Sequence, residues 1–208
     1  MKVLYIESKL KNLNDFNLSK KEIAKLPKKL FLAYSIQYKD LAIIIRKQLE
    51  QNHVKVSGFE QVLGCSKIKT KDPLFLVGAG RFHATNLYLQ APEVYVLDGN
   101  VINKIAKQEI ESLRNKKKAA LLKFLNANNI GILVTTKPGQ ENLNEAIRLK
   151  EYLIKKGKSP YIFISNNIDI SQFENFNIDS WVNTACMGLS YDNPKIINYS
   201  ELRTSPAF

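Results

Sequence analysis

The feature that most constrains the fold is a pattern that occurs twice: an apolar run, a polar turn, an amphipathic helical stretch and a second apolar run. In the first copy Leu30 to Tyr34 opens the pattern. Lys39 to Gln51 then carries Leu41, Ile44, Ile45 and Leu49 on one helical face, and Val54 to Phe59 alternates like a strand. In the second copy Ile130 to Thr135 reads as a strand and Pro138-Gly139 as a turn. Asn142 to Lys156 is a helix with Leu143, Ile147 and Leu153 on its apolar stripe, Gly157 is its stop, and Tyr161 to Ile164 is the next strand. Strands separated by a helix pair in parallel, because the crossover returns the chain to the same end of the sheet. The reading is therefore an α/β protein of two similar small domains, each a mostly parallel sheet flanked by helices, with an internal duplication behind them.

Further runs fill in the frame. Val3 to Ile6 reads as a first strand, Pro73 to Val77 as a buried strand ending in Gly78-Ala79-Gly80, and Glu93 to Leu97 as a strand closing at Asp98-Gly99. Val101 to Asn126 reads as one long, Lys-rich helix connecting two lobes, and Ser180 to Asn183 as a strand leading to Cys186. The expected domains are residues 1–115 and 116–208. Loops at the carboxyl edge of such sheets are where open α/β folds place ligands.

Composition narrows the classes. At 45% hydrophobic the chain has material for real cores, which argues against disorder. No apolar run approaches the roughly 20 residues of a spanning helix, and Met1-Lys2-Val3-Leu4-Tyr5-Ile6-Glu7 lacks the layout of a signal peptide, so the reading is a soluble, cytoplasmic protein with no membrane partner. The formal charge of +12, from 31 Lys and Arg against 19 Asp and Glu, favours an anionic partner. Yet Lys20-Lys21, Lys28-Lys29, Lys116-Lys117-Lys118 and Lys155-Lys156 are spread along helices without aromatic interleaving. That describes a basic solvated surface better than a dedicated stripe, and a basic nucleic-acid-binding α/β module stands as an alternative.

Two cysteines, Cys65 and Cys186, are the only thiols; each follows a strand-like run and a small residue, Gly64 or Ala185. They are too few for a disulfide scaffold. A free cysteine often does no more than fill a core, and that reading stays open. Zinc wants four ligands at knuckle spacing, which two separated cysteines with His53 and His83 do not provide. Thiolates from separated loops suit an iron–sulfur cluster, although a cuboidal cluster normally takes three or four. Gly78-Ala79-Gly80 is not a dinucleotide fingerprint. Thr135 to Gln140 lies between a strand and a helix, where free N–H groups favour a carboxylate or phosphate, or it is an ordinary turn.

Four strings taken in order carry a resemblance: Gln61-Val62-Leu63-Gly64-Cys65; Phe75-Leu76-Val77-Gly78-Ala79-Gly80-Arg81-Phe82-His83; Gly131-Ile132-Leu133-Val134-Thr135-Thr136-Lys137-Pro138-Gly139-Gln140; and Trp181-Val182-Asn183-Thr184-Ala185-Cys186. From about residue 2 to about residue 202 the chain resembles the diphthamide synthase family, radical enzymes that modify one histidine of translation elongation factor 2. It resembles the last two of that family's three domains, which implies that a separately encoded chain carries the first, or that this is a reduced, non-catalytic version. In the family each domain supplies one cysteine to a [4Fe-4S] cluster, so the resemblance implies Cys65 and Cys186 as two of the ligands. It also implies that Arg81 and His83 shape the S-adenosylmethionine pocket and that Lys137 and Gln140 line the site for the cofactor's amino-acid end. The implied reaction breaks S-adenosylmethionine on its aminocarboxypropyl side, adds that radical to the imidazole C2 and leaves methylthioadenosine. An electron donor and an oligomer go with it. Two departures stand out: Ala79 where the family usually has Asp, and Met187-Gly188 where it has a Pro-Arg type pair. They keep a non-catalytic partner subunit in view.

Overall fold

Apolar runs just long enough for a strand, set between helical stretches, build a sheet in each half of the chain. The computed structural model describes residues 4, 8, 10, 11, 13, 15–78, 84, 85, 87–190 and 193–205. The strand expected at Val3 to Ile6 lies, but for Leu4, outside the described residues, as do Ala79, Arg81 and His83. The chain divides into two compact units, Met1–Glu111 and Ser112–Phe208.

The first unit contains α1 (Lys20–Ile23), β1 (Lys29–Tyr34), α2 (Lys39–Gln51), β2 (Lys55–Gln61), β3 (Leu74–Val77), β4 (Val94–Asp98) and β5 (Val101–Lys104). Its five strands lie in the order β2-β1-β3-β4-β5, parallel except for the β4–β5 pair. Successive β1 side chains point to opposite faces. Leu30, Leu32 and Tyr34 pack with Leu41, Ile45 and Leu49 of α2, while Phe31 and Ala33 pack with Leu74, Leu76, Leu87 and Val94 on the other side.

The long helix expected from Val101 is shorter than its sequence reading. It runs Lys107–Asn126 (α3), and Val101–Lys104 is β5, folded back on β4. Gly99, at φ +57, takes the left-handed conformation that the tight Asp98–Val101 reversal needs. Ile102 is buried, and its N–H donates to Glu22 Oε2 at 2.6 Å, which anchors the added strand.

The second unit contains β6 (Asn129–Thr135), α4 (Leu143–Lys155), β7 (Ser159–Ser165), β8 (Ser180–Asn183), β9 (Ile196–Asn198) and α5 (Tyr199–Leu202). Its sheet is parallel throughout, in the order β7-β6-β8-β9. Ile130, Ile132 and Val134 of β6 pack beneath Phe124, Ala146, Leu149 and Leu153. On the opposite face Leu133 and Trp181 meet Phe163 and Phe173. The apolar stripe of α4 is thus Ala146, Leu149 and Leu153, and the expected Ile147 is 42% exposed on the outer face.

In both units the first strand among the described residues lies inside its sheet, with a strand on either side. The chain steps to one side through a helix and strand (α2–β2, α4–β7) and then crosses to the other side (β3, β8). The reversal leaves a crevice beyond the carboxyl ends of β1 and β3 in one unit and of β6 and β8 in the other. An internal duplication would put each cysteine in a comparable place in its own unit, but the duplication does not carry them with it. Cys65 follows β2, an outer strand, whereas Cys186 follows β8, beside the reversal.

Candidate functional site

In the second unit the Thr136–Glu141 loop leaves β6 and the Thr184–Cys186 loop leaves its parallel neighbour β8, so both emerge at one end of the sheet. They are tied together: Asn142 Nδ2 donates to the Thr184 carbonyl at 2.6 Å and to the Gln140 carbonyl at 3.3 Å. Thr184 is anchored from below, its N–H and Oγ1 both donating to the Leu133 carbonyl, at 3.1 and 2.8 Å. Lys137 and Gln140 are exposed; the Lys137 N–H donates to Thr135 Oγ1 at 3.2 Å, and Gly139 takes φ +76 to close the turn. A cavity of about 360 Å³ opens beside the cysteine loop, lined among others by Asn142, Glu145, Thr184, Met187, Tyr199 and Arg203. Lys137 and Gln140 stand next to it in the chain without lining it.

Cys186 is a free, half-buried thiol. Its loop is held by two asparagines that are almost wholly buried, Asn183 and Asn198. Asn183 Nδ2 donates to the Cys186 carbonyl and to Asn198 Oδ1, both at 2.8 Å, and its Oδ1 accepts the Ala185 N–H at 2.9 Å. Asn198 Nδ2 donates to Ser190 Oγ at 2.6 Å and the Met187 carbonyl at 3.2 Å. It also reaches Glu201 Oε1 at 3.4 Å, a carboxylate paired with Lys117 Nζ at 2.6 Å. Asn198 and β9 escape sequence reading, since three residues show no period. The only available signal was the apolar pair Ile196-Ile197 before a polar residue.

In the first unit Cys65 is free and exposed in a turn beyond β2. Ser66 closes that turn: the Leu63 N–H donates to its Oγ at 2.8 Å, and its own N–H donates to the Leu63 carbonyl at 3.0 Å. Gln90 holds the loop from outside, Nε2 donating to the Ser66 carbonyl at 3.0 Å and Oε1 accepting the Ile68 N–H at 2.8 Å. At the β1–β3 reversal Gly78 stands close to Ser35; a Cβ there would lie 3.0 Å from Ser35 Oγ, a buried hydroxyl with no hydrogen-bond partner among the described residues. A larger cavity, about 710 Å³, opens at this sheet end, with Tyr38, Gly78, Asp98 and Asn100 among its walls.

The donors fit a thiolate-ligated cluster in kind and fall short of one in number. Both thiols are free, and among the described residues no group of three His, Cys, Asp or Glu could hold a metal. No helix among the described residues is long and apolar enough to cross a membrane.

The fold and its loops define a class: an α/β protein of two parallel-centred units, each presenting one free cysteine past the carboxyl end of a strand. Residues 1–202 match the family described as "Putative diphthamide synthesis protein", and the chain belongs to that family. It is 27% identical over 143 residues to the 2-(3-amino-3-carboxypropyl)histidine synthase of Pyrococcus horikoshii, covering 67% of this chain and 42% of that protein. It is 28% identical over 141 residues to subunit 1 of the same-named synthase from Yarrowia lipolytica, covering 64% of this chain and 32% of the relative. The chain thus spans less than half the length of these curated relatives. Dph2 from Pyrococcus horikoshii, solved with a 4Fe-4S cluster, shares the fold with a TM-score of 0.75 at 24% identity, over 88% of this chain and 58% of that one.

Proposed function

We propose that this chain is a component of a 2-(3-amino-3-carboxypropyl)histidine synthase, its two units corresponding to the second and third domains of the family. The supporting observation is the family match across residues 1–202, joined to two free thiols each placed past the carboxyl end of a strand in a parallel-centred sheet. In this reading Cys65 and Cys186 are two of the thiolates that hold a [4Fe-4S] cluster, and a third comes from outside these 208 residues. When bound, the cluster and S-adenosylmethionine supply the one-electron chemistry that frees the 3-amino-3-carboxypropyl group, for transfer to a histidine of translation elongation factor 2.

The chain's own residues bind, orient and shield. Lys137 offers an ammonium and Gln140 an amide to the amino-acid end of S-adenosylmethionine, from the loop that Asn142 ties to Thr184. Arg81 and His83, which lie outside the described residues, are assigned to the S-adenosylmethionine pocket by the family resemblance. The +12 charge draws in an anionic partner surface over a long range. The Yarrowia relative is named as a subunit, which favours a multi-component enzyme; the one-electron chemistry of this reading also calls for an electron donor.

Anaerobic reconstitution of the chain with a polypeptide carrying the third cysteine tests the reading. Wild type is expected to bind iron and to release methylthioadenosine from S-adenosylmethionine, while Cys65→Ala and Cys186→Ala lose the cluster's visible absorption. Full iron retention in either variant defeats the assignment. The Met187-Gly188 departure favours a second reading, a non-catalytic partner subunit. In that case iron binds and methylthioadenosine does not appear.

A further inference from the structure

The two cysteines sit at positions that are not equivalent in the two sheets, yet their loops are held by the same device. In each unit one side-chain amide grips the loop at two points, donating to a backbone carbonyl and accepting a backbone N–H. Asn183 takes the Cys186 carbonyl and the Ala185 N–H, at 2.8 and 2.9 Å. Gln90 takes the Ser66 carbonyl and the Ile68 N–H, at 3.0 and 2.8 Å. Neither amide is carried by the internal duplication, because Asn183 ends a strand and belongs to the cysteine's own loop, whereas Gln90 lies 24 residues from its partner Ser66.

We propose that Asn183 and Gln90 are positioning residues that fix the direction of the Cys186 and Cys65 thiols. A loop needing only to be closed is closed by any backbone turn. A planar amide with one donor and one acceptor engaged restricts the backbone it brackets: Asn183 brackets Ala185 and Cys186 itself, while Gln90 brackets Lys67 and fixes Ser66, the residue on which Cys65 abuts. The Asn183 grip is reinforced from beneath, since its second N–H goes to Asn198, which holds Met187 and Ser190 on the far side of the cysteine. Burying two amides costs free energy unless every polar group finds a partner, and here each is engaged. The value of this to function rests on the cluster reading above. Two thiolates from separate loops meet one small inorganic core only if each loop holds its sulfur in a single direction.

The experiment is anaerobic alkylation of the cluster-free, full-length chain with iodoacetamide across pH 6 to 10, each thiol followed by peptide mass spectrometry. Asn183→Ala, which removes the contacts to the Cys186 carbonyl, the Ala185 N–H and Asn198, is expected to raise the alkylation rate of Cys186 by at least about fivefold, with Cys65 within about twofold of wild type. Gln90→Ala is expected to do the reverse, and Gln90→Glu, which keeps the acceptor for Ile68, to recover part of the wild-type profile. The proposal is overturned if each substitution alters both thiols alike or leaves its own thiol unchanged. Should Asn183→Ala fail to fold by circular dichroism, the two Gln90 variants decide the matter. Reconstitution of the same proteins separates this from the cluster reading. If alkylation follows the clamps but wild type takes up no iron, the clamps stand and the cluster assignment falls. If wild type binds iron while alkylation ignores the clamps, the reverse holds.

Discussion

At Gly58 and Gly131 the absence of one carbon decides how a sheet packs. A Cβ on Gly58 would meet Phe31 Cε2 at 2.2 Å, and one on Gly131 would meet Trp181 Cε3 at 2.2 Å. In both pairs the aromatic residue stands opposite the glycine on the neighbouring parallel strand. The Trp181 ring lies over bare backbone and, with Phe163 and Phe173, closes the outer face of the second sheet five residues before Cys186. Gly131→Ala is therefore expected to lower stability by about 1–3 kcal/mol, the usual cost of overpacking. Urea unfolding followed by Trp181 fluorescence measures it, and an unchanged midpoint would show that the ring moves aside freely. Gly157→Ala has no neighbour to strike, but its φ of +75 makes it cost about 1 kcal/mol through backbone strain alone.

At the scale of elements, α4 shows how periodicity names a helix but not always its buried face. The stripe that includes Ile147 and the stripe through Ala146, Leu149 and Leu153 are adjacent, and both hold apolar residues. Packing under β6 selects the second. Leu149→Ala is expected to cost about 2–5 kcal/mol and Ile147→Ala to stay within about 0.5 kcal/mol, with thermal melts of the two variants as the measurement. Equal losses would mean that the helix turns a different face to the sheet. Most strands and both amphipathic helices were legible because a helical period over thirteen residues, or a buried run that ends at a loop such as the four residues of β3 or β8, is visible locally. β5 and β9, with four and three residues, were not. Their existence depends on partners far along the chain, Glu22 for β5 and β8 for β9. The same limit hid half of the cysteine clamp, since nothing local marks Asn198 or Gln90 as partners of a loop.

At the scale of the whole molecule, acid acts on both units through carboxylates that close distant segments. In the first, backbone N–H donation from Ile102, and then Lys25, holds the Glu22 carboxyl below its ordinary range. In the second, the N–H groups of Asn129 and Asn128 do the same for Asp179. A carboxylate whose folded pKa is depressed contributes stability above its unfolded value, about 4, and loses it as pH falls through the lower folded value. Acid titration should thus show stability falling below about pH 4, and Asp179→Asn should flatten that limb while lowering stability at neutral pH. An acid limb identical to wild type would show that this closure does not govern it. By itself the sequence determined the two-fold α/β plan, the elements with several periods and the loops that carry the thiols, because periodicity, turn chemistry and composition act locally. Only the tertiary structure decided that Cys65 leaves an outer strand while Cys186 leaves a strand at the chain reversal, that α4 buries Leu149 rather than Ile147, and that buried or half-buried amides hold both loops. Those choices are made by strand order, by packing against the sheet and by hydrogen bonds such as Asn183 to Asn198, 15 residues apart, and Gln90 to Ser66, 24 apart, which no local pattern contains.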